Sequence, residues 1–261
     1  MKREDMYKWN VATTKEYGVQ EAISPQKQEC EYTHINRINL KAGDSHIVSS
    51  EGYEMCIALV SGAGHAKVDG CFDEEMKKLD CVYLSADTGC VLTAREDCSF
   101  YVAFAKYEGI GQTHFIHFDP DTPLGDFHEI HGEGIFKREV FLMINDKTPA
   151  SRLMCGYTFG GDACWTSWPP HEHAKTLEET YCYFDMPAPK LGFQFTYLEK
   201  NGFYDAVAHP VREGNMVVFP MGYHPTVASP GTCNKYMWVL VAKRPQDRVF
   251  GVYNQDQSYV K

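Results

Sequence analysis

The stretch Trp168-Pro169-Pro170-His171-Glu172-His173-Ala174-Lys175-Thr176-Leu177-Glu178-Glu179-Thr180-Tyr181 decides how this chain reads. Residues two apart on an extended strand point to one face, roughly 6.6 Å apart at about 3.3 Å per residue. His171 and His173 can therefore reach one ion together. Glu178 can return to them after a short turn. A second element, Pro220-Met221-Gly222-Tyr223-His224, ends a β-former run with a turn that aims His224 across a barrel. An HxH pair alone is also what two surface histidines on an alternating strand look like. With a spaced glutamate and a third histidine, the set has the composition of a divalent metal site with open positions.

Outward from these motifs, strand signals dominate. Apolar or alternating runs rich in β-formers fall at 36–41, 54–60, 81–85, 99–105, 138–144, 152–158, 180–185, 192–198, 215–219 and 236–242. Gly62-Ala63-Gly64, Asp69-Gly70, Gly160-Gly161-Asp162 and Asn201-Gly202 punctuate them, and the last reads as a tight hairpin. Residues 73–79 fit a short helical turn or a charged loop. Many short strands with close turns indicate an all-β sandwich or barrel.

The chain also looks doubled. A strand series at 36–106 opens with Lys41-Ala42-Gly43-Asp44, and another at 138–244 has Gly160-Gly161-Asp162 in the corresponding place. The expected layout is a first barrel over 1–117, a linker over 118–137 and a second, metal-bearing barrel over 138–261. The first half has no HxH, only His46, and Asp87-Thr88-Gly89 stands where the PxGxH element would be. It is read as metal-free scaffold and interface. The loop-like stretch 107–137 carries His114, His117, His128 and His131, read as surface or packing residues.

Composition bounds the function. The 261 residues suffice for one large or two small domains, and 44% hydrophobic content fits a soluble globular protein. A net charge of −10, from 25 basic and 35 acidic residues, argues against nucleic acid and membrane surfaces as partners. No apolar run is long enough for a membrane span. The start, Met1-Lys2-Arg3-Glu4-Asp5, has no apolar signal region. Ten scattered cysteines without a CxxC pair then read as reduced, mostly buried thiols of a cytoplasmic protein.

The two histidine elements resemble the metal motifs of the cupins, although one residue rather than two separates Gly222 from His224 and the leading glycine is displaced. Ser151 to Gly156, Trp165 through His173, Leu177-Glu178-Glu179-Thr180-Tyr181, Tyr183-Phe184-Asp185 and Pro220 through Pro225 are together similar to the bicupin uronate isomerases. That resemblance implies two tandem cupin barrels, a bicupin. It joins two ketol-isomerases, acting on 5-deoxy-glucuronate in inositol catabolism and on 5-dehydro-4-deoxy-D-glucuronate in pectin catabolism. Leu177 to Tyr181 and Gly222-Tyr223-His224-Pro225 favour the inositol branch, whereas Ser151 to Gly156 and Tyr183-Phe184-Asp185 favour the pectin branch.

Carried over, the ligands are His171, His173, Glu178 and His224, holding one divalent ion. Zinc is expected, and the set also accepts Mn, Fe, Co or Ni. The implied activity is aldose–ketose isomerisation of a sugar acid, 5-deoxy-D-glucuronate to 5-dehydro-2-deoxy-D-gluconate, by a homo-oligomer. Glu178, Tyr181 and Tyr223 are the catalytic candidates, with Glu179, Tyr183 and His209 as further proton carriers. Alternation along a regular strand turns Glu179 and Tyr181 away from Glu178. Arg138, Arg152 and Lys175 are candidates for the substrate carboxylate, since arginine grips one with two parallel bonds. Trp165 and Trp168 suit packing first and a pocket wall second. An iron-dependent cupin oxygenase and a metal-containing cupin that senses a sugar without turnover are the competing readings.

Overall fold

The computed structural model describes residues 3–49, 51–200 and 203–259. Two antiparallel barrels lie side by side. In the first, a six-stranded sheet runs in the order His114–Ile116, Cys81–Leu84, Tyr53–Ser61, Cys98–Lys106, His34–Leu40, Gly18–Ile23. A four-stranded sheet, Ser45–Val48, Cys90–Ala94, Gly64–Val68, Phe72–Met76, closes over it. In the second, a seven-stranded sheet runs Asn10–Ala12, Asn215–Phe219, Leu177–Tyr183, Cys233–Ala242, Leu153–Asp162, Arg138–Ile144, His128–His131. Its cover is Trp165–Thr166, Thr226–Ala228, Gly192–Lys200 and Phe203–Val211. The all-β, two-barrel architecture agrees with the sequence reading.

The pairings cross the expected boundaries in two places. Asn10–Ala12 lies beside Asn215–Phe219, so the N-terminal residues give the second barrel an edge strand. The stretch 107–137 is not all loop: His114–Ile116 pairs with Cys81–Leu84 within the expected first barrel, and, inside the expected linker, His128–His131 joins the second barrel by pairing with Arg138–Ile144. Residues 73–79 hold no helical turn, because Phe72–Met76 pairs with Gly64–Val68 across a turn at Gly70, whose φ is +72°. The Asn201-Gly202 hairpin lies outside the described residues, though the strands beside it pair through Lys200 and Phe203.

Alternation divides the side chains between three cores. Cys56, Ala58 and Val60 from the first large sheet meet Cys155, Tyr157, Cys182 and Val239 from the second, in the core between the barrels. Met55, Ile57 and Leu59 fill the first barrel, and Leu177, Tyr181 and Tyr183 face into the second. All ten cysteines are free thiols, and eight are buried. Among the described residues, no helix is long and apolar enough to cross a membrane.

Candidate metal centre and its cavity

His171, His173, Glu179 and His224 meet at one point, their ligand atoms all within 4.8 Å of one another. The imidazole centroids lie 5.2 Å apart for His171 and His173, 5.0 Å for His171 and His224, and 5.6 Å for His173 and His224. Each ring is oriented from behind. The Nδ1–H of His171 donates to the Pro169 carbonyl at 3.0 Å, that of His173 to Val252 at 2.9 Å, and that of His224 to Gly222 at 2.9 Å. A carbonyl can only accept, so all three Nε2 lone pairs are left for the centre.

Glu179 completes the set. Its Oε2 lies 2.7 Å from His224 Nε2 and 3.3 Å from His173 Nε2. Glu179 Oε2 and His224 Nε2 are both buried without a hydrogen-bond donor. With Nδ1 carrying the proton, these are two acceptors facing one another, and such a pair needs a cation between them. The residues therefore fit a divalent ion with nitrogen and oxygen ligands. Burial, then the neighbouring imidazoles of His224 and His173, pushes His171 down to about 3, which keeps it neutral. Burial also acts to lower His173, but the Glu179 carboxylate outweighs it and raises the pKa. A proton held there leaves when Nε2 takes a metal.

Glu178, expected as the fourth ligand, points the opposite way. Its carboxylate accepts the backbone N–H of Glu31 at 2.6 Å, Tyr32 at 3.0 Å and Thr33 at 3.1 Å, and the Thr33 hydroxyl at 2.9 Å. The reason is the turn after His173. Thr176 and Leu177 both donate to the His173 carbonyl, and the strand Leu177–Tyr183 starts with Glu178 facing the first barrel. The odd residues Glu179, Tyr181 and Tyr183 then face inward. The alternation argument was sound, but it was anchored on the wrong glutamate.

His171, His173 and Glu179 lie in the wall of a cavity of about 720 Å³, while His224 is buried and does not line it. Arg138, Tyr181, Tyr236, Trp168 and Tyr253 line it, with Glu129, His131 and Glu133 from the linker. Arg138 is mostly buried and donates to the Phe136 carbonyl at 3.1 Å, and no carboxylate pairs with it among the described residues. Burial presses its pKa below the ordinary value, opposed by the hydroxyls of Tyr236, Tyr181 and Tyr253. Trp168 is a wall residue, stacked on Phe136 at 5.4 Å, whereas Trp165 packs on Phe195.

Several expected site residues lie elsewhere. Arg152 is held by Glu108 at 2.6 Å and by the Lys243 carbonyl at 2.6 Å, outside the cavity lining. Lys175 is exposed in the turn after His173. Tyr223 stacks on Tyr197 at 5.0 Å and does not line the cavity. Tyr183 donates to Gln194 at 2.7 Å inside the barrel core. His209 is buried edge-on to Tyr7, and burial pushes it down to about 4. Of the five further or first-choice proton carriers other than Glu178, only Glu179 and Tyr181 reach the cavity. His128 stacks on Phe141 at 4.1 Å, a packing role as expected, while His131 pairs with Glu129 at the cavity. Tyr236 and Tyr253 were not singled out. Tyr236 shares inward parity with Trp238 on its strand, a readable signal. Tyr253 follows the last long strand and carried none.

A model of the KduI/IolB family matches residues 7–257. The 5-deoxy-glucuronate isomerase of Geobacillus kaustophilus is 25% identical over 234 residues, covering 84% of this chain and 82% of that protein. The protein of the same name from Halalkalibacterium halodurans is 24% identical over 249 residues, covering 89% and 88%. The crystal structure of an IolB-like protein from Salmonella typhimurium LT2 superposes with a TM-score of 0.82 at 26% identity, over 96% of this chain and 97% of that one. An oxalate decarboxylase mutant of Bacillus subtilis superposes at 0.59 with 12% identity, over 88% and 74%, a likeness of fold alone. The family match and the relatives' names make the chain an isomerase, as its sequence implied. With two barrels, a cluster of His171, His173, Glu179 and His224 beside one cavity, and a family match across nearly its whole length, the chain belongs to the KduI/IolB family.

Proposed function

We propose that the cavity isomerises 5-deoxy-D-glucuronate to 5-dehydro-2-deoxy-D-gluconate, with one zinc ion per chain at His171, His173, Glu179 and His224. The observation that carries this reading is the pairing of the acceptor-only cluster with Arg138 in one cavity. The first suits a metal, and the second suits the carboxylate of a sugar acid. The names of the Geobacillus and Halalkalibacterium relatives point to the same substrate.

A bound divalent ion supplies a Lewis acid for the carbonyl and neighbouring hydroxyl oxygens of the sugar. The chain supplies the rest. Arg138 offers two parallel N–H bonds to the carboxylate and fixes the sugar's direction in the cavity. Tyr181 is buried, and burial together with the Glu179 carboxylate pushes its phenol well above the usual range. It therefore keeps its proton and donates a hydrogen bond, rather than acting as a base. Trp168 and Phe136 form an apolar wall that excludes water from the reacting carbons.

The test is an NMR product assay with zinc-loaded protein, offering 5-deoxy-D-glucuronate and 5-dehydro-4-deoxy-D-glucuronate in parallel. Turnover of the first supports the reading. Turnover of the second alone moves the chain to the pectin-type reaction. Tight binding of either without turnover makes it a sensor.

A further inference from the structure

The last long strand of the second barrel, Cys233–Ala242, ends well before the chain does, and the tail returns across the cavity. Its path is pinned at both ends. The Arg248 guanidinium donates to the carbonyls of Leu153, at 2.9 Å, and Asn145. Asp256 accepts the Tyr197 hydroxyl at 2.6 Å, and its backbone N–H donates to Pro170 at 2.9 Å. Between these anchors Asn254–Gln255 pairs as a strand with His171–Glu172, the segment that carries the HxH motif. The Val252 carbonyl accepts the Nδ1–H of His173 at 2.9 Å. The Tyr253 ring lies 5.0 Å from the His171 ring and 6.3 Å from that of His173, and it lines the cavity while half exposed.

Resting on the metal reading above, we infer that residues 248–256 form an active-site strap, whose Val252 carbonyl positions His173 and whose Tyr253 ring covers the donor cluster on the solvent side. Pro169 and Gly222, which orient the other two histidines, lie within two residues of the rings they serve. His173 alone takes its orientation from a segment 79 residues away. The Nε2 lone pair of His173 points at the centre only while that distant carbonyl holds the opposite edge of the ring.

Gly251 supplies a clean probe. Its φ is +79°, and a Cβ added there meets nothing within 4 Å. Gly251→Val therefore strains the backbone next to Val252, and its Cβ meets no neighbour. Gly231, with φ +83° and equally open space, lies in a turn outside the cavity lining and serves as the matched control. The measurement is zinc affinity by chelator competition, with the absorption spectrum of the cobalt-substituted protein read alongside. Gly251→Val should weaken zinc binding about 10- to 100-fold and shift the cobalt bands, the range expected when a partner behind a ligand is lost. Gly231→Val should match the wild type in both. Equal zinc affinity in Gly251→Val and wild type overturns the strap, and so does an equal loss in both variants.

A measurement on the wild type stands beside this, in case Gly251→Val does not fold. Proton–nitrogen NMR should show a His173 Nδ1–H signal protected from exchange and absent in His173→Gln. A fast-exchanging or missing signal overturns the inference. If the wild type binds no zinc yet shows the protected proton, the metal reading fails and the strap's hold on His173 survives.

Discussion

On the central strand of the first barrel Glu54 is followed by Met55, and on the corresponding strand of the second Glu178 is followed by Glu179. The strands correspond by register: Met55 stands opposite Leu84, and Glu179 opposite Phe219, each the last residue of the neighbouring strand. The first glutamate of each pair does the same work. Glu54 accepts the backbone N–H of Ser151, Arg152 and Leu153 at 2.6–2.7 Å, with the Tyr83 hydroxyl at 2.5 Å. Glu178 accepts those of Glu31, Tyr32 and Thr33. Each barrel thus caps the strand start of the other with one buried carboxylate, and the two caps are near neighbours, since Leu153 and Glu178 both stand opposite Val241. The second residue separates the barrels. Met55 joins an apolar core with Ile57 and Leu59, whereas Glu179 joins three histidines beside an open cavity. The same framework becomes a site when the inward side chains stop filling the barrel and start offering lone pairs.

The sharpest way to break this comparison is to exchange the roles of the two adjacent glutamates. Glu179→Ala should strip the bound metal and lower turnover about a thousandfold or more, equivalent to about 4 kcal/mol of transition-state stabilisation. Glu178→Ala should keep one metal per chain. Metal analysis of the two proteins, side by side, decides it, and metal loss in Glu178→Ala alone reverses the assignment.

The converse change tests the first barrel. Met55→Glu places a carboxylate among apolar residues with no cation to meet it. The expected cost is several kcal/mol, of order 3–5, visible as a lower denaturation midpoint. A gain of a second tightly held ion in this variant would show that the first barrel hides a site.

Next come the two caps. Glu54→Ala and Glu178→Ala each leave three backbone donors without their acceptor. Both should lose about 3 kcal/mol of stability in urea titrations. A large loss from one and none from the other would end the equivalence between them. Smaller still is the effect expected at the cation. Arg138→Met should lower kcat/KM about 10- to 100-fold through KM, the worth of a charge-assisted pair of about 1.5–3 kcal/mol. Arg152→Met should leave KM unchanged and reduce stability, because its guanidinium is already held by Glu108. Lys175→Ala, exposed in its turn, should move neither quantity by more than about 0.5 kcal/mol.

The strands were legible because β-formers and turn residues act locally. Gly192–Lys200 and Asn215–Phe219 both lie where their apolar runs stand in the sequence. Short polar strands such as Phe72–Met76 were not, since their partners rather than their composition make them strands. The three histidines were legible for a similar reason. His171 and His173 share a face by spacing alone, and His224 ends a recognisable turn.

What the sequence by itself determined is the two-barrel plan, the HxH pair, His224, and the rule that Glu178 and Glu179 face opposite ways. Only the tertiary structure decided which of the two glutamates faces the histidines. Strand period says which side chains share a face, but the face that looks into the cavity is set by where the first barrel packs. The same holds for Arg138 over Arg152, since both open apolar runs in the sequence and only the fold shows that Glu108 claims one of them. It holds most of all for the strap, because the hydrogen bond between His173 and Val252 joins residues that no local pattern connects.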